Sequence, residues 1–103
     1  MGPMVQPGPV LITAALPFEC AAVTPLLGDL RIDAPNGPYK RWYGSYADLE
    51  VVVLETGMGL DSTEAALASA LPEIRPGCII STGLAGGLSA SVRPGDAVVP
   101  DRP

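Results

Sequence analysis

The hydrophobic positions of this chain fall into short continuous runs that are separated by turn residues. Apolar runs of about four to eight residues are typical of strands buried on both faces of a sheet. Three segments have this pattern, "VLITA" at 10–14, "VVVL" at 51–54 and "GCIIST" at 77–82. The segment "YKRWYGSY" at 39–46 mixes aromatic and polar positions, as an exposed or edge strand does, and "RPGDAVVP" at 93–100 predicts a turn and the start of a further strand.

A first helix is predicted directly after the strand at 10–14. Pro17 suits the first position of a helix, where its missing N–H costs nothing. Pro25 should kink or shorten this helix, and Gly28 is a plausible end for it.

A hairpin and a second helix follow. "YKRWYGSY" and "LEVVVLET" flank Ala47 and Asp48, which predicts two antiparallel strands. Asp61 precedes Glu64 by three residues, which is the spacing of a capping box with Asp at the N-cap, and Pro72 should limit the helix. The resulting order, β-α-β-β-α-β-β, predicts an α/β domain with a largely parallel sheet.

Composition narrows the classes of function. Hydrophobic residues make up 48% of the 103 residues and charged residues 17%, which favours one folded domain. The net charge is −5, with six Lys and Arg and no basic cluster, so neither nucleic acid nor an acidic membrane surface is expected as a partner. The apolar runs are also far too short to span a bilayer, and we expect a cytoplasmic protein.

The chain contains no histidine. A Ser-His-Asp or Cys-His site within it is therefore excluded, and we expect neither a metal site nor a cofactor. Cys20 and Cys78 both lie in apolar segments, where one disulfide is possible but two buried thiols are favoured. Residues 1–9 contain three prolines and no basic stretch, and they are interpreted as a disordered leader or cloning remnant.

Three of the apolar strands end in small residues, in "TAALP", "TGMG" and "TGLAGG". In open α/β sheets the carboxyl ends of the strands line the ligand crevice, and glycine lets a ligand approach the backbone there. Three such loops at one edge indicate a small-molecule site. Each loop alone is equally consistent with a tight turn.

Individual side chains leave two interpretations open. Glu19, in the first turn of the first helix, either complements the helix dipole or acts as a general base for water. Met58, between two glycines, is either an apolar pocket wall or a packing contact. Asp61 occupies the positive end of the second helix, which argues against an anion site there.

In this order and spacing, the segments "ALPFE", "VVVLETGMG", "STGLAGGL" and "VRPGDAVV" resemble the N-terminal half of the nucleoside phosphorylase/nucleosidase superfamily. The pattern is most similar to the methylthioadenosine/S-adenosylhomocysteine nucleosidases, with futalosine hydrolases and hopanoid-associated nucleosidases nearby. It runs from about Val10 to Pro100. The resemblance implies a three-layer α/β sandwich with a mostly parallel or mixed central sheet, of which residues 10–103 would be the N-terminal half.

The resemblance also implies roles for individual residues. Glu19 matches the glutamate that activates water against the ribose C1′. The other matches are substrate-binding residues: Ala15 and Leu16 beside the sugar, Met58 near the 5′-substituent, and Leu84, Ala85 and Gly86 in the loop on the base and sugar. Leu84 departs from the serine common in the methylthioadenosine enzymes, which leaves the hopanoid and futalosine types open.

By this resemblance the reaction is hydrolysis of the N-glycosidic bond of a 5′-modified adenosine-type purine nucleoside. Phosphorolysis is an alternative, but the first loop has no arginine before Arg31. The acid that protonates the purine would lie in the missing second half, so this chain alone should be inactive. It would work with a complementing C-terminal half or as a homo-oligomer. A non-catalytic nucleoside-binding or oligomerising module, and a domain without any ligand, remain the other readings.

Overall fold

A computed structural model describes residues 8–33, 39–85 and 87–101. The strands are β1 (Val10–Ala14), β2 (Gly28–Asp33), β3 (Arg41–Tyr46), β4 (Leu49–Glu55) and β5 (Cys78–Ser81). The helices are α1 (Pro17–Ala21) and α2 (Leu60–Ile74), with a 3₁₀ turn at Thr24–Leu26. Within this described part, no helix is long and apolar enough to cross a membrane.

The five strands form one mixed sheet in the order β2-β3-β4-β1-β5. β1 is central to the parallel part, because it pairs in parallel with β4 on one side and β5 on the other. β2, β3 and β4 pair antiparallel. The α/β class and the mixed sheet are therefore confirmed, and the carboxyl ends of β1, β4 and β5 lie at one edge.

The two helices pack on opposite faces of this sheet. In β4, Val52 and Leu54 face the cluster that contains the buried alanines of α2. The alternate residues, Val51 and Val53, face the cluster that contains Cys20 of α1. Because neighbouring side chains of a strand point to opposite faces, this alternation gives three layers, and it explains why β4 is apolar at every central position.

Strand β2 was not predicted, and its presence changes the place of β3. Residues 28–33, "GDLRID", are all exposed and carry charges, so they lack the apolar run that marks a strand. β2 nevertheless pairs with β3, with a register shift between Gly28 and Arg31. The exposed edge strand is therefore β2, and β3 lies inside the sheet. Pro17 does open α1. The helix ends at Ala21, before Pro25, so the predicted end at Gly28 is wrong, and Gly28 is instead the first residue of β2.

The limits of α2 differ from the prediction. The N-cap is Gly59, at φ 92°, and Asp61 is the second helical residue, so the capping box of Asp61 with Glu64 is wrong. The left-handed φ at the cap favours glycine over an acid with a side chain. Asp61 still lies in the first turn, where its charge disfavours an anion. The helix passes through Pro72 and ends at Ile74.

Three further expectations concern the chain ends and the cysteines. Both cysteines are free; Cys20 is buried, but Cys78 is exposed because β5 is an edge strand here. Residues 93–96 form the predicted turn, whereas 97–100 form no strand and are exposed. Most of the leader assigned to residues 1–9 lies outside the described residues; the Pro9 carbonyl accepts a hydrogen bond from the N–H of Gly77 at 3.0 Å.

Candidate functional site

Backbone hydrogen bonds tie together the three loops that follow the parallel strands. The N–H of Thr56 donates to the carbonyl of Ala14 at 2.8 Å, and the N–H of Gly57 donates to the carbonyl of Ala15 at 3.0 Å. On the other side, the N–H of Thr82 donates to the carbonyl of Thr13 at 2.9 Å. The loops "TAALP", "TGMG" and "TGLAGG" therefore meet at one edge of the sheet, as predicted.

Glu19 is positioned by the start of α1, in the middle of this edge. Leu16 is extended and serves as the N-cap, and Pro17 begins the helix. Glu19 follows as the third helical residue, and its Oε1 accepts a hydrogen bond from the Leu16 N–H at 3.0 Å. This is the backward half of a capping box, in which a carboxylate satisfies an otherwise unpaired N–H at the helix start.

The second carboxylate oxygen of Glu19 contacts the loop after β5. Its Oε2 accepts a hydrogen bond from the backbone N–H of Leu84 at 2.8 Å. This hydrogen bond is the largest influence on the carboxyl group and lowers the pKa of Glu19, with a smaller contribution from Leu16 and an opposing one from desolvation. Each oxygen retains acceptor capacity, so the carboxylate can also accept a proton from water.

A shallow cleft of about 110 Å³ lies beside this carboxylate. It is lined by Glu19, Ala22, Val23, Thr82, Gly83 and Leu84. Sites for small ligands usually enclose roughly 300–1,000 Å³. The cleft therefore has the volume of part of such a site, with walls on the α1 and β5 sides.

Of the other predicted residues that the structure describes, Leu84 lines the cleft, whereas Ala15, Leu16, Met58 and Ala85 do not. Ala15 and Leu16 contribute backbone groups, through the contacts with Gly57 and Glu19. Met58 is 73% exposed and Leu84 is 77% exposed, so neither side chain is packed as a wall. Ala85 is exposed as well. Gly86 lies outside the described residues.

Comparisons with known proteins identify the family of this chain. The sequence profile of the phosphorylase superfamily matches residues 9–102. The chain belongs to the phosphorylase superfamily. Its curated relatives include 5′-methylthioadenosine/S-adenosylhomocysteine nucleosidases of Listeria monocytogenes, 40% identical over 68 residues, and of Aeromonas salmonicida, 33% identical over 60 residues. These alignments cover 64% and 58% of this chain.

Solved structures show the same superfamily fold. The nucleosidase of Streptococcus pneumoniae with a transition-state inhibitor aligns with a TM-score of 0.75 at 28% identity, over 84% of this chain. The nucleosidase of Colwellia psychrerythraea with adenine aligns with a TM-score of 0.73 at 26% identity, over 86% of this chain. This chain is much shorter than these proteins. Its alignments span 28% and 26% of the length of the two curated relatives. They span 37% and 36% of the two solved chains.

Two residues at the edge were not singled out from the sequence. Gly83 lies against Glu19, and a Cβ built on it would stand 2.9 Å from Oε2. Glu55, the last residue of β4, has a buried Oε1 that has no hydrogen-bond partner among residues 8–33, 39–85 and 87–101. In the sequence, Gly83 is one of several glycines in "TGLAGG", and Glu55 only ends an apolar run. Nothing in the sequence therefore indicated that either residue belongs to the site.

A larger groove, of about 300 Å³, lies away from this edge. It is lined by Pro9, Arg31, Tyr43, Glu50, Val52, Glu73 and Ile74. Arg31 lies over the ring of Tyr43, 5.7 Å from its centroid. The groove contains residues of β2 and β3, at the antiparallel end of the sheet, and shares no lining residue with the cleft at Glu19. Its size alone does not make it the site, because the strand ends and the predicted residues lie elsewhere.

Proposed function

We propose that this chain is the N-terminal portion of a cytoplasmic nucleosidase that hydrolyses the N-glycosidic bond of a 5′-modified adenosine-type nucleoside. The observation that carries the proposal is the placement of Glu19. It is an anchored carboxylate beside a cleft, at the carboxyl ends of three strands of this superfamily fold. Two oxygens held by backbone N–H groups give the carboxylate one orientation, which a general base requires.

The chemistry assigned to Glu19 is removal of a proton from water. The bond between C1′ and the purine nitrogen breaks, its electron pair leaves with the base, and the base is protonated by an acid. Water adds to the oxocarbenium-like C1′, and Glu19 accepts the proton that this water loses. The products are the free base and the free sugar, so one water molecule balances the reaction.

Hydrolysis is favoured over phosphorolysis by the position of the arginines. A phosphate beside the sugar would need cationic donors at this edge. In the described residues, the first arginine after Glu19 is Arg31, which lies in β2, three strands from β1. Arg41 is buried and paired with Glu73 of α2. Neither guanidinium lines the cleft at Glu19.

We propose further that turnover requires a complementing C-terminal half. The cleft has about a third of the volume of even a small ligand site. β5 also exposes apolar side chains on both faces, since the consecutive residues Ile79 and Ile80 are 51% and 47% exposed. Strand β2, at the opposite edge, carries charges that discourage added strands, whereas "CIIS" of β5 carries none. The missing walls would therefore be added beside β5 and its loop.

The decisive experiment restores the missing part. This chain is fused to, or mixed with, the portion of the Listeria monocytogenes nucleosidase that it does not span, and adenine release from methylthioadenosine and S-adenosylhomocysteine is measured. We expect turnover only in the completed protein. Glu19→Gln should lower kcat by roughly 10²–10⁴-fold, the usual contribution of a general base. Glu50→Gln, an exposed acid in β4, is the matched control.

The edge at which completion occurs can be tested separately. Ile80→Lys in β5 should block complementation, whereas Ile32→Lys in β2, which replaces an isoleucine that is 66% exposed, should not. Circular dichroism of each variant alone checks that the chain still folds. Equal effects of the two lysines would contradict completion at β5.

A non-catalytic module is the second candidate, and one observation favours it. Both oxygens of Glu19 already bind backbone N–H groups, so the side chain has a sufficient structural role as a link between α1 and the loop after β5. In such a module the nucleoside would bind, alone or in a homo-oligomer, without being cleaved. Calorimetric titration of the completed protein with methylthioadenosine separates the two, because binding without adenine release supports the module alone.

A further inference from the structure

Gly83 approaches Glu19 so closely that a side chain at residue 83 would force the Glu19 carboxylate to move. A Cβ on Gly83 would stand 2.9 Å from Oε2 of Glu19 and 3.5 Å from its Cδ. Real Cβ atoms essentially never come within 3.0 Å of another heavy atom. The backbone of Gly83 does not adopt the left-handed conformation that other glycines of this chain have. Glycine at residue 83 therefore leaves space for the carboxylate in its present position, and backbone dihedral angles do not call for glycine there.

The space beside Gly83 permits the hydrogen bond between Glu19 and Leu84, which are distant in the sequence. The Leu16 N–H lies three residues from Glu19 and moves with α1, so its hydrogen bond says nothing about the rest of the fold. The Leu84 N–H lies 65 residues away, in the loop that follows β5. Among the described residues, this is the hydrogen bond that connects the Glu19 carboxylate with a distant part of the chain.

We propose that Gly83 is a positioning residue, which admits Glu19 to the backbone N–H of Leu84 and thereby fixes the carboxylate to the loop after β5. The catalytic meaning of this role rests on the proposed function, but the contact itself does not. Without a side chain at residue 83, the loop backbone serves as a donor to the base. With a Cβ there, the carboxylate is displaced, the Leu84 N–H loses its acceptor, and the orientation of Glu19 is set by α1 alone.

The test measures the ionisation of Glu19 in this chain, without substrate. Carbon-detected NMR follows the Glu19 carboxyl carbon against pH, and Glu19→Gln identifies its resonance. Loss of a hydrogen bond to the carboxylate raises its pKa, so Gly83→Ala should move the midpoint up toward the ordinary value. Gly28→Ala is the matched control. Gly28 lies in β2, remote from the site, and a Cβ on it would stand 3.3 Å from the Oγ of Ser45, a flexible side-chain atom in β3.

A second measurement needs no change at Gly83 and holds even if that variant fails to fold. In the unmodified chain, the amide proton of Leu84 should shift with pH at the same midpoint as the Glu19 carboxyl carbon. Glu19→Gln should abolish that shift. A Leu84 amide that ignores the titration of Glu19, or a Gly83→Ala midpoint equal to that of Gly28→Ala, would overturn the proposal.

In the completed enzyme the same residue should affect catalysis in a specific way. Gly83→Ala should lower kcat with little change in KM, and should move the acid limb of the pH profile upward, because a general base must be deprotonated to act. If the NMR coupling is present but Glu19→Gln retains full activity, the proposed function fails and the positioning contact stands. If the coupling is absent while Glu19→Gln is inactive, the reverse holds.

Discussion

Arg41 is a buried cation whose charge is balanced by one exposed partner. Its side chain is 3% exposed, and its Nη1 is paired with Oε2 of Glu73, which is 67% exposed. Its Nη2 donates a long hydrogen bond, 3.4 Å, to the carbonyl of Ser69. The Nε atom is buried and has no hydrogen-bond partner in the part of the chain that the structure describes. We therefore expect that replacing Glu73 and replacing Arg41 will change the stability of the chain in different ways.

Removing the acid should destabilise the chain, and removing the cation should not. Breaking a buried ion pair lowers the free energy of unfolding by about 3–5 kcal/mol, and breaking an exposed pair lowers it by about 0–1 kcal/mol. In the pair of Arg41 and Glu73 one partner is buried and the other is exposed, so Glu73→Gln should cost about 2 kcal/mol. Arg41→Met removes the guanidinium and its unpaired Nε, whose burial costs about 1–3 kcal/mol. It keeps an apolar stem and leaves only an exposed carboxylate, so no buried charge is left uncompensated. Replacing a whole buried ion pair by apolar residues is neutral or stabilises by about 1–4 kcal/mol, and we expect the same direction here.

Thermal unfolding at neutral pH measures both. One kcal/mol shifts Tm by about 4–8 °C in a domain of this size, so Glu73→Gln should lower Tm by roughly 8–16 °C. Arg41→Met should leave Tm unchanged or raise it, and adding Glu73→Gln to Arg41→Met should have almost no further effect. Glu50→Gln is the control for losing an exposed acid. If Arg41→Met loses as much stability as Glu73→Gln, the buried pair is a net stabiliser and the reasoning is refuted.

Other consequences follow from burial and from the carboxylate contacts. Leu54→Ala, at a fully buried position of β4, should cost about 2–5 kcal/mol in urea unfolding, and Leu49→Ala, 53% exposed in the same strand, should cost far less. The backbone N–H of Leu84, after β5, lowers the pKa of Glu19 in the folded chain. The contribution of ionised Glu19 to folding stability is therefore fully present above the pKa that Glu19 has in the unfolded chain, and it is lost as the pH falls through the lower pKa of the folded chain. The stability difference between the unmodified chain and Glu19→Gln should thus shrink in acid; a constant difference would contradict the contact. A thiol reagent should label Cys78 and spare Cys20, which is buried and has its pKa raised to about 11; labelling of both in the native state would show that α1 opens.

The sequence was informative where burial is continuous and uninformative where pairing alone makes the structure. The central strands were predictable because both faces of β1 and β4 are covered, so each strand contains a continuous apolar run. β2 pairs with β3 through backbone groups while all of its residues are exposed, and backbone pairing leaves no mark on side-chain type. The cap of α2 failed for a related reason. A glycine at positive φ occupied the N-cap, and the spacing of Asp61 and Glu64 was coincidental.

Part of the candidate site could also be predicted from the sequence, and part of it could not. The meeting of three loops could be predicted, because parallel strands place their carboxyl ends at one edge. The partners of Glu19 could not, since one of them is a backbone N–H 65 residues away, and a backbone donor is present at nearly every position of any sequence. Leu84 was assigned by resemblance to the loop on the base and sugar. In this structure its side chain is 77% exposed, and its backbone N–H donates to Glu19.

If Glu19 is the general base of the proposed function, its lowered pKa gives the proposed completing polypeptide a second role. A general base is most efficient when its pKa lies near the operating pH, and two backbone N–H donors hold the carboxylate below its ordinary value instead. Desolvation already opposes this lowering, because it raises the pKa of Glu19, although the cleft beside the carboxylate is open to water. A polypeptide that closes the cleft beside β5 would remove that water and shift the balance toward a stronger base. The backbone donors would then keep the orientation of the carboxylate, while closure would supply its basicity.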